Sequence, residues 1–174
     1  MQRYDIAIVG GGIVGLATAW ALTRRQPQAR LVIVEKENYV SAHQSGHNSG
    51  VLHSGIYYKP GSLRAENCRN GKRMMEEFCR EHGIPFEICG KVIVAVHDDE
   101  RGRLQNIYER GQANGVRCEL IDASRLRELE PHAAGVAAIH VPEAGIVHYP
   151  DVCKKLVELL EQRGHQLRLG TEVL

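Results

Sequence analysis

Aromatic side chains are scarce in this sequence. With one Trp and two Phe, it is 5% aromatic even when Tyr is counted, so any core must rest on aliphatic packing. Neither sign of charge is in excess, at 22 Lys and Arg against 21 Asp and Glu. No basic surplus exists to release counterions from a phosphate backbone, and nucleic acid is not an expected partner. The five cysteines, Cys68, Cys79, Cys89, Cys118 and Cys153, form no C-x-x-C pair and are odd in number. That argues against a disulfide framework and a structural zinc site, and reduced, mostly buried thiols of a cytoplasmic protein are expected. Long apolar runs are lacking apart from residues 6–22. This run follows Arg3 and contains Ala-Trp-Ala, as a secretory leader would, but Asp5 opens it and Gly10, Gly11, Gly12 and Gly15 interrupt it. It is also marginal in length for a bilayer span. Repeats and low-complexity segments are absent.

Glycine, by contrast, is plentiful, and it clusters near residues 10–15 and 46–71. The first cluster sits in a recognisable pattern. Tyr4–Val9 is a short β-branched run that reads as a fully buried strand. Ile13–Arg25 reads as a helix that places Arg24 and Arg25 at its negative end, with Pro27 beyond. Leu31–Val34 reads as a second buried strand closed by Glu35. Strand, helix and strand in so few residues make a βαβ unit with a parallel pair.

In that context Gly10-x-Gly12-x-x-Gly15 becomes a dinucleotide fingerprint. Gly10 permits the tight turn, Gly12 lets backbone approach a pyrophosphate, and Gly15 lets helix and strand pack closely. The first helical residues, Ile13 and Val14, offer free N–H groups and a positive dipole to phosphate. Glu35 can accept from ribose hydroxyls and would repel a 2′-phosphate, which disfavours NADP. FAD and NAD both carry ADP, and the fingerprint alone does not separate them.

Residues 40–62 lack periodicity and form a long connection, uncommon unless functional. Within it, His43-Gln44-Ser45-Gly46-His47-Asn48-Ser49-Gly50-Val51-Leu52-His53 alternates small polar residues with glycine. Ser45, Asn48 and Ser49 can donate to a phosphate or a flavin carbonyl, and Gly50 and Gly55 allow close approach of a flat ring. Three histidines raise the thought of a metal, but Gly46 breaks any helix that would align His43 with His47, and no carboxylate lies in the segment. No metal is expected. Beyond the loop, helices are expected over Ser62–His82 with Gly83 as cap, from Asp98 or Asp99 to about Asn114, over Asp122–Glu130, and from Asp151 to about Arg163. Strands are expected at Val92–Val96, Val116–Leu120, on either side of the Pro142–Gly145 turn, and over Gln166–Val173. The pattern starts as βαβ, turns β-rich, and returns to helix then strand. That implies a nucleotide-binding domain interrupted by part of a second domain.

The fingerprint, Val34-Glu35-Lys36-Glu37, the loop from His43 through Leu63, Cys89-Gly-Lys-Val-Ile-Val-Ala95, Tyr108-Glu-Arg with Ala113-Asn-Gly-Val116, and Gly145-Ile-Val-His-Tyr149 together resemble one family. It is the L-2-hydroxyglutarate oxidase/dehydrogenase branch of the D-amino-acid-oxidase-like FAD oxidoreductases. The resemblance runs along nearly the whole chain, and its Gly-His-Asn-Ser-Gly-Val run is far more selective than the fingerprint. It implies an α/β fold in which a Rossmann-like FAD-binding domain (residues 1–83 and 149–174) is interrupted by part of an α+β substrate domain (84–148). It also implies that Gly10, Gly12 and Gly15 hold the FAD pyrophosphate and Glu35 the adenosine ribose, with Lys36 flanking the adenosine. Ser45, Asn48, Ser49 and Gly50 would lie against the pyrophosphate and flavin, and the Val173 backbone would meet the adenine.

The implied reaction is oxidation of a small 2-hydroxy dicarboxylate by hydride transfer to flavin N5, with electrons passed to oxygen or a quinone. A histidine suits the base that takes the hydroxyl proton. His53 is the first candidate and His47 the second, and each also reads as an ordinary loop histidine. Lys91, Arg64 and Lys59 are candidates for the substrate carboxylates, unranked by sequence. Family members run to twice this length or more, so the chain reads as an amino-terminal fragment. A non-catalytic nucleotide-binding fragment, an amine or glycerol-3-phosphate flavoenzyme, and an NAD-dependent dehydrogenase are the competing readings. A cytoplasmic location is expected, with peripheral contact to the inner face of the membrane left open by the quinone.

Overall fold

The computed structural model describes residues 3–174, which fall into two compact units. One runs up to Gly50 and resumes at His148–Leu174, and the other is Val51–Val147. The sequence places the first change of domain at residue 83 instead. The helix Leu63–His82 groups with the second unit because its own side chains tie it there. Cys68 donates to the His53 carbonyl and Arg69 to the Asn114 carbonyl.

In the first unit, β1 (Ile6–Val9), α1 (Ile13–Arg25) and β2 (Leu31–Val34) form the expected βαβ unit, with Ile6 opposite Leu31 and Val9 opposite Val34 in a parallel pair. The strand late in the chain, β9 (Gln166–Arg168), adds in parallel to the other side of β2, giving the order β1-β2-β9. β2 is therefore central, and Leu31, Val32 and Ile33 are buried as a two-sided parallel strand requires. β1 departs from its expected full burial. It pairs on one side only, and its residues alternate, ending in Val9 at 67% exposure. α5 (Tyr149–Gln162) packs on α1, burying Val152, Cys153, Leu156 and Leu160, while Leu16, Ala19 and Thr23 are the buried residues of α1. Arg163 fastens the far end, lying 4.2 Å from the Trp20 ring centroid and donating to Thr23 Oγ1.

The second unit holds two antiparallel three-stranded sheets. One is ordered β3 (Val51–Leu52), β8 (Gly145–Val147), β4 (Phe86–Glu87). The other is β5 (Lys91–Ala95), β7 (Ala137–Val141), β6 (Glu119–Asp122). α2 (Leu63–His82), α3 (Arg101–Ala113) and α4 (Ala123–Leu129) complete it. Its core joins Ile56, Leu104, Val116, Cys118, Ile139 and Val141, aliphatic as the scarcity of aromatics requires. The two strands around the Pro142–Gly145 turn are both present, but they do not pair as a hairpin. β7 joins one sheet and β8 the other.

Capping residues fix both ends of α2 and the start of α4. Ser62 Oγ accepts from Ala65 N at the start of α2, and Gly83 ends it with φ +65°. Asp122 Oδ1 accepts from Arg125 N at the start of α4. Two expected caps are different. α3 follows a single 3-10 turn at Asp98–Glu100, and it is Glu100, not Asp98 or Asp99, whose carboxylate accepts from Val96 N and His97 N. α5 starts two residues before Asp151, because Pro150 suits a first helical turn; Asp151 lies inside and meets His148 Nδ1 at 2.9 Å. The expected 116–120 strand begins instead at Glu119, because the backbone before it is bonded elsewhere: Val116 N donates to the Gly111 carbonyl, Arg117 N to Glu143 Oε2, and the Cys118 carbonyl accepts from Gln112 Nε2.

Candidate functional site

The loop between β1 and α1 is built from glycines with different physical duties. Gly10 has φ +107°, a conformation that side chains avoid, although a Cβ there would meet nothing. At Gly15 the constraint is space: a Cβ would lie 2.1 Å from the Gly10 carbonyl oxygen, so helix and strand could not approach as they do. Gly12 has ordinary extended backbone, and a Cβ there would meet only Ser45 Oγ at 3.2 Å. Its bareness leaves open the approach to the N-terminus of α1, where no side chain caps the helix through Gly12 and no acidic residue occupies the first turn. Ser45 Oγ accepts from Ile13 N at 2.9 Å. Among the described residues no partner is supplied to the N–H groups of Val14 and Gly15. The result is a positive helix end with a cleared approach, which suits a pyrophosphate.

Glu35 follows β2 and closes this loop. Its Oε2 accepts from Gly11 N at 2.6 Å and its Oε1 from Glu37 N at 2.9 Å. Burial pushes its pKa up, but the N–H groups of Glu37 and Gly11, with His43 and the Lys36 N–H nearby, outweigh it and hold the carboxyl below the ordinary range. Each oxygen keeps a lone pair, so ribose hydroxyls can still donate. The chain returns to this place near its end: Gly170 N donates to the Glu37 carbonyl and Thr171 N to the Glu35 carbonyl. Val173 follows two residues later, exposed. Lys36 is exposed, with Nζ 3.8 Å from Glu37 Oε1.

The loop at 41–50 is held by its own hydrogen bonds. Ser41 has φ +60° and its N–H donates to the Gly11 carbonyl. A Cβ on Gly46 would sit 2.3 Å from the Ser41 oxygen. Asn48 Nδ2 donates to the carbonyls of Gln44 and Ser45, and its Oδ1 accepts from Gly50 N, so this side chain shapes the turn. Gly50 takes φ +69°. Ser49 is exposed. His47 is exposed, its Nδ1 2.9 Å from the His43 carbonyl, and His43 Nε2 lies 2.9 Å from Glu37 Oε1. The structure thus gathers Gly10, Gly12, Ile13, Val14, Gly15, Glu35 and Ser45 at one helix end. Sequence reasoning missed Gly11, Ser41 and Glu37, which fix that end from behind. The uninterrupted Gly10-Gly11-Gly12 hinted at Gly11 alone, whereas Ser41 and Glu37 enter through hydrogen bonds that no local pattern expresses.

His53 belongs to the second unit, directly after β3. The residue as a whole is exposed, yet its ring is partly desolvated; that desolvation and the neighbouring Lys91 charge lower its pKa. Lys91 Nζ lies 4.7 Å from the Tyr57 ring centroid. Burial lowers the Lys91 pKa, while Cys68 raises it, and burial raises that of Tyr57. Lys59 and Arg64 are exposed. Among the described residues no cluster of three His, Cys, Asp or Glu side chains could hold a metal ion, and no helix is long and apolar enough to cross a membrane. All five cysteines are free.

Several known proteins are similar to this chain. Across 98% of this chain it is 46% identical to an L-2-hydroxyglutarate dehydrogenase of Indibacter alkaliphilus, and across 99% it is 48% identical to a mitochondrial L-2-hydroxyglutarate dehydrogenase of Nematostella vectensis. A third, from Escherichia coli strain K12, is 44% identical over 98% of the chain. The chain spans only 43%, 38% and 40% of these relatives' lengths. Among solved structures, dithionite-reduced L-α-glycerophosphate oxidase of Mycoplasma pneumoniae with FAD bound superposes with a TM-score of 0.90 at 29% identity, covering 99% of this chain and 46% of that one. Glycine oxidase of Geobacillus kaustophilus gives 0.86 at 26%, covering 99% and 48%. The family model described as FAD dependent oxidoreductase matches residues 5–174, from the strand before the glycine loop to the segment that returns beside Glu35, and the chain belongs to that family.

Proposed function

We propose that this chain forms part of a flavoprotein that oxidises L-2-hydroxyglutarate to 2-oxoglutarate. The observation that carries the reading is the 44–48% identity, over nearly the whole chain, to proteins named for that substrate. The residues fit FAD at the point where they can be tested: a helix end whose N-cap residue, Gly12, has no side chain, where only the Ser45 hydroxyl lies near a Cβ position and the N–H groups of Val14 and Gly15 have no partner among the described residues. Gly10, Gly12, Ile13, Val14, Gly15 and Ser45 would hold the pyrophosphate. Glu35, Lys36 and Val173 would hold the adenosine, and Asn48, Ser49 and Gly50 would line the path toward the flavin. When bound, FAD supplies the acceptor for the hydride that leaves the substrate carbon.

The protein's own work is to take the hydroxyl proton, and we assign it to His53, with His47 as the second candidate. A lowered pKa keeps the His53 imidazole neutral, with a free nitrogen, at neutral pH. Electrons would pass on to oxygen or a quinone, and a quinone would bring the protein to a membrane surface. The cytoplasm is the proposed location, supported by five cysteines that are all free.

The likeness to glycerophosphate oxidase favours one second reading, a flavoenzyme for glycerol 3-phosphate or an amine. The visible spectrum separates them. The protein at its full natural length is expected to be yellow and to bleach anaerobically with L-2-hydroxyglutarate. Bleaching only with glycerol 3-phosphate or glycine rejects the hydroxy-acid reading. The same spectrum of the isolated 174-residue chain shows whether it binds flavin alone or is a non-catalytic fragment.

A further inference from the structure

Three cations of the second unit were candidates for a substrate carboxylate, and the structure ranks them. Lys59 and Arg64 are exposed, where water satisfies them. Lys91 is half-buried, and no carboxylate pairs with it among the described residues. Lys72, partly buried on α2, shows the ordinary solution: it pairs with Glu76, which also binds Arg80. An ammonium removed from water without an anion is disfavoured, and the face of one tyrosine ring is only partial compensation.

Backbone register explains why Lys91 sits there. Leu52 pairs with Gly145 in the β3–β8 ladder, and Gly90 N donates to the Ala144 carbonyl at 2.8 Å. His53 follows Leu52 and Lys91 follows Gly90, so neighbouring residues of one segment hold the two side chains in the same region. Tyr57 is brought over Lys91 by the turn at Gly55 (φ +86°) and anchored by Ile56, which is fully buried in the core. Cys68 Sγ, donating to the His53 carbonyl at 3.3 Å, fixes α2 against the same segment.

We infer that Lys91, seated on Tyr57 beside His53 without an acidic partner, binds a carboxylate of the substrate and determines specificity for an anionic acid. The inference rests on the hydroxy-acid reading above. Its attraction would hold the acid near the candidate base, while the Tyr57 ring keeps the ammonium from turning to solvent.

The test uses the flavin-loaded protein at full natural length, with Lys91→Met and Lys91→Arg. Glutarate, a dicarboxylate with no hydroxyl to oxidise, is titrated by calorimetry beside steady-state kinetics. Loss of one charged hydrogen bond predicts a rise of about 10–100-fold in the glutarate Kd and in KM for Lys91→Met. Flavin content is expected to stay unchanged, and Lys91→Arg to recover most of the loss. A merely structural lysine would instead lower Tm or flavin content and leave the Kd of the folded fraction alone. Equal glutarate affinity in wild type and Lys91→Met overturns the inference. If L-2-hydroxyglutarate does not bleach the wild type, the substrate reading fails by itself. Glutarate then still decides Lys91: binding that is lost in Lys91→Met keeps it as a carboxylate anchor, and binding that is equal or absent in both removes it.

Discussion

A single methyl group distinguishes the duties of the loop glycines. At Gly15 it would collide with backbone 2.1 Å away, and backbone cannot step aside cheaply. Gly15→Ala is expected to lower the stability of the flavin-free protein by about 1–3 kcal/mol, as overpacking does, measured by thermal denaturation. At Gly12 the methyl meets only a serine hydroxyl, on backbone that alanine adopts freely. Gly12→Ala should therefore leave flavin-free stability within about 1 kcal/mol and lower flavin retention instead. Equal flavin content in Gly12→Ala and wild type would show that no ligand approaches there. His53 carries a second expectation. Its pKa lies below the ordinary 6.5, so it remains an unprotonated base to lower pH than a free histidine. The acid limb of kcat/KM should then fall below pH 6.5, and Lys91→Met, which removes a charge that lowers this pKa, should move the limb upward. A limb that His53→Gln leaves in place belongs to another group. The glycines and Glu35 were legible because spacing expresses their geometry. The grip of Glu35 on Gly11, 24 residues away, was not, because no local pattern encodes a bond across a loop.

At the level of elements, the ends of helices were legible wherever a side chain made its own cap, as Ser62 and Asp122 do. They were misplaced where a competing group won, as at Glu100 and Pro150. The two-residue strands β3 and β4 were invisible, since two residues carry no periodicity and exist as strands only through β8. α2 offers a test of pure helix physics. Gly71 lies in its interior, and a Cβ there meets nothing within 4 Å. Gly71→Ala should raise stability by about 0.5–1 kcal/mol, whereas Ser62→Ala should lower it by about 1 kcal/mol through loss of the cap. Denaturant midpoints of the two variants check both signs. A destabilising Gly71→Ala would mean that this face of α2 is covered by something beyond the described residues.

At the scale of the whole molecule, the sequence announced an interrupted nucleotide-binding fold, because βαβ periodicity stops after β2 and helix-then-strand returns at the end. It could not announce how self-sufficient the interruption is. That depends on non-local pairing: Val51, at the start of the second unit, lies opposite Ile146 near its end, so the entry and exit of this unit are adjacent within its own sheet. Its core residues, Ile56, Leu104, Val116, Cys118, Ile139 and Val141 among them, all come from Val51–Val147. A segment with adjacent ends and a private core satisfies the physical conditions for folding alone. Residues 51–147 expressed by themselves should therefore unfold in one cooperative thermal transition with dispersed amide resonances. Lys91 should still lie over Tyr57 in that fragment, since every contact placing it is internal to the unit, and Lys91→Met should shift the Tyr57 ring resonances there. A fragment with native helix content but no cooperative transition would show that its packing depends on the rest of the protein. The Lys91–Tyr57 pair would then have to be tested only in the full-length chain.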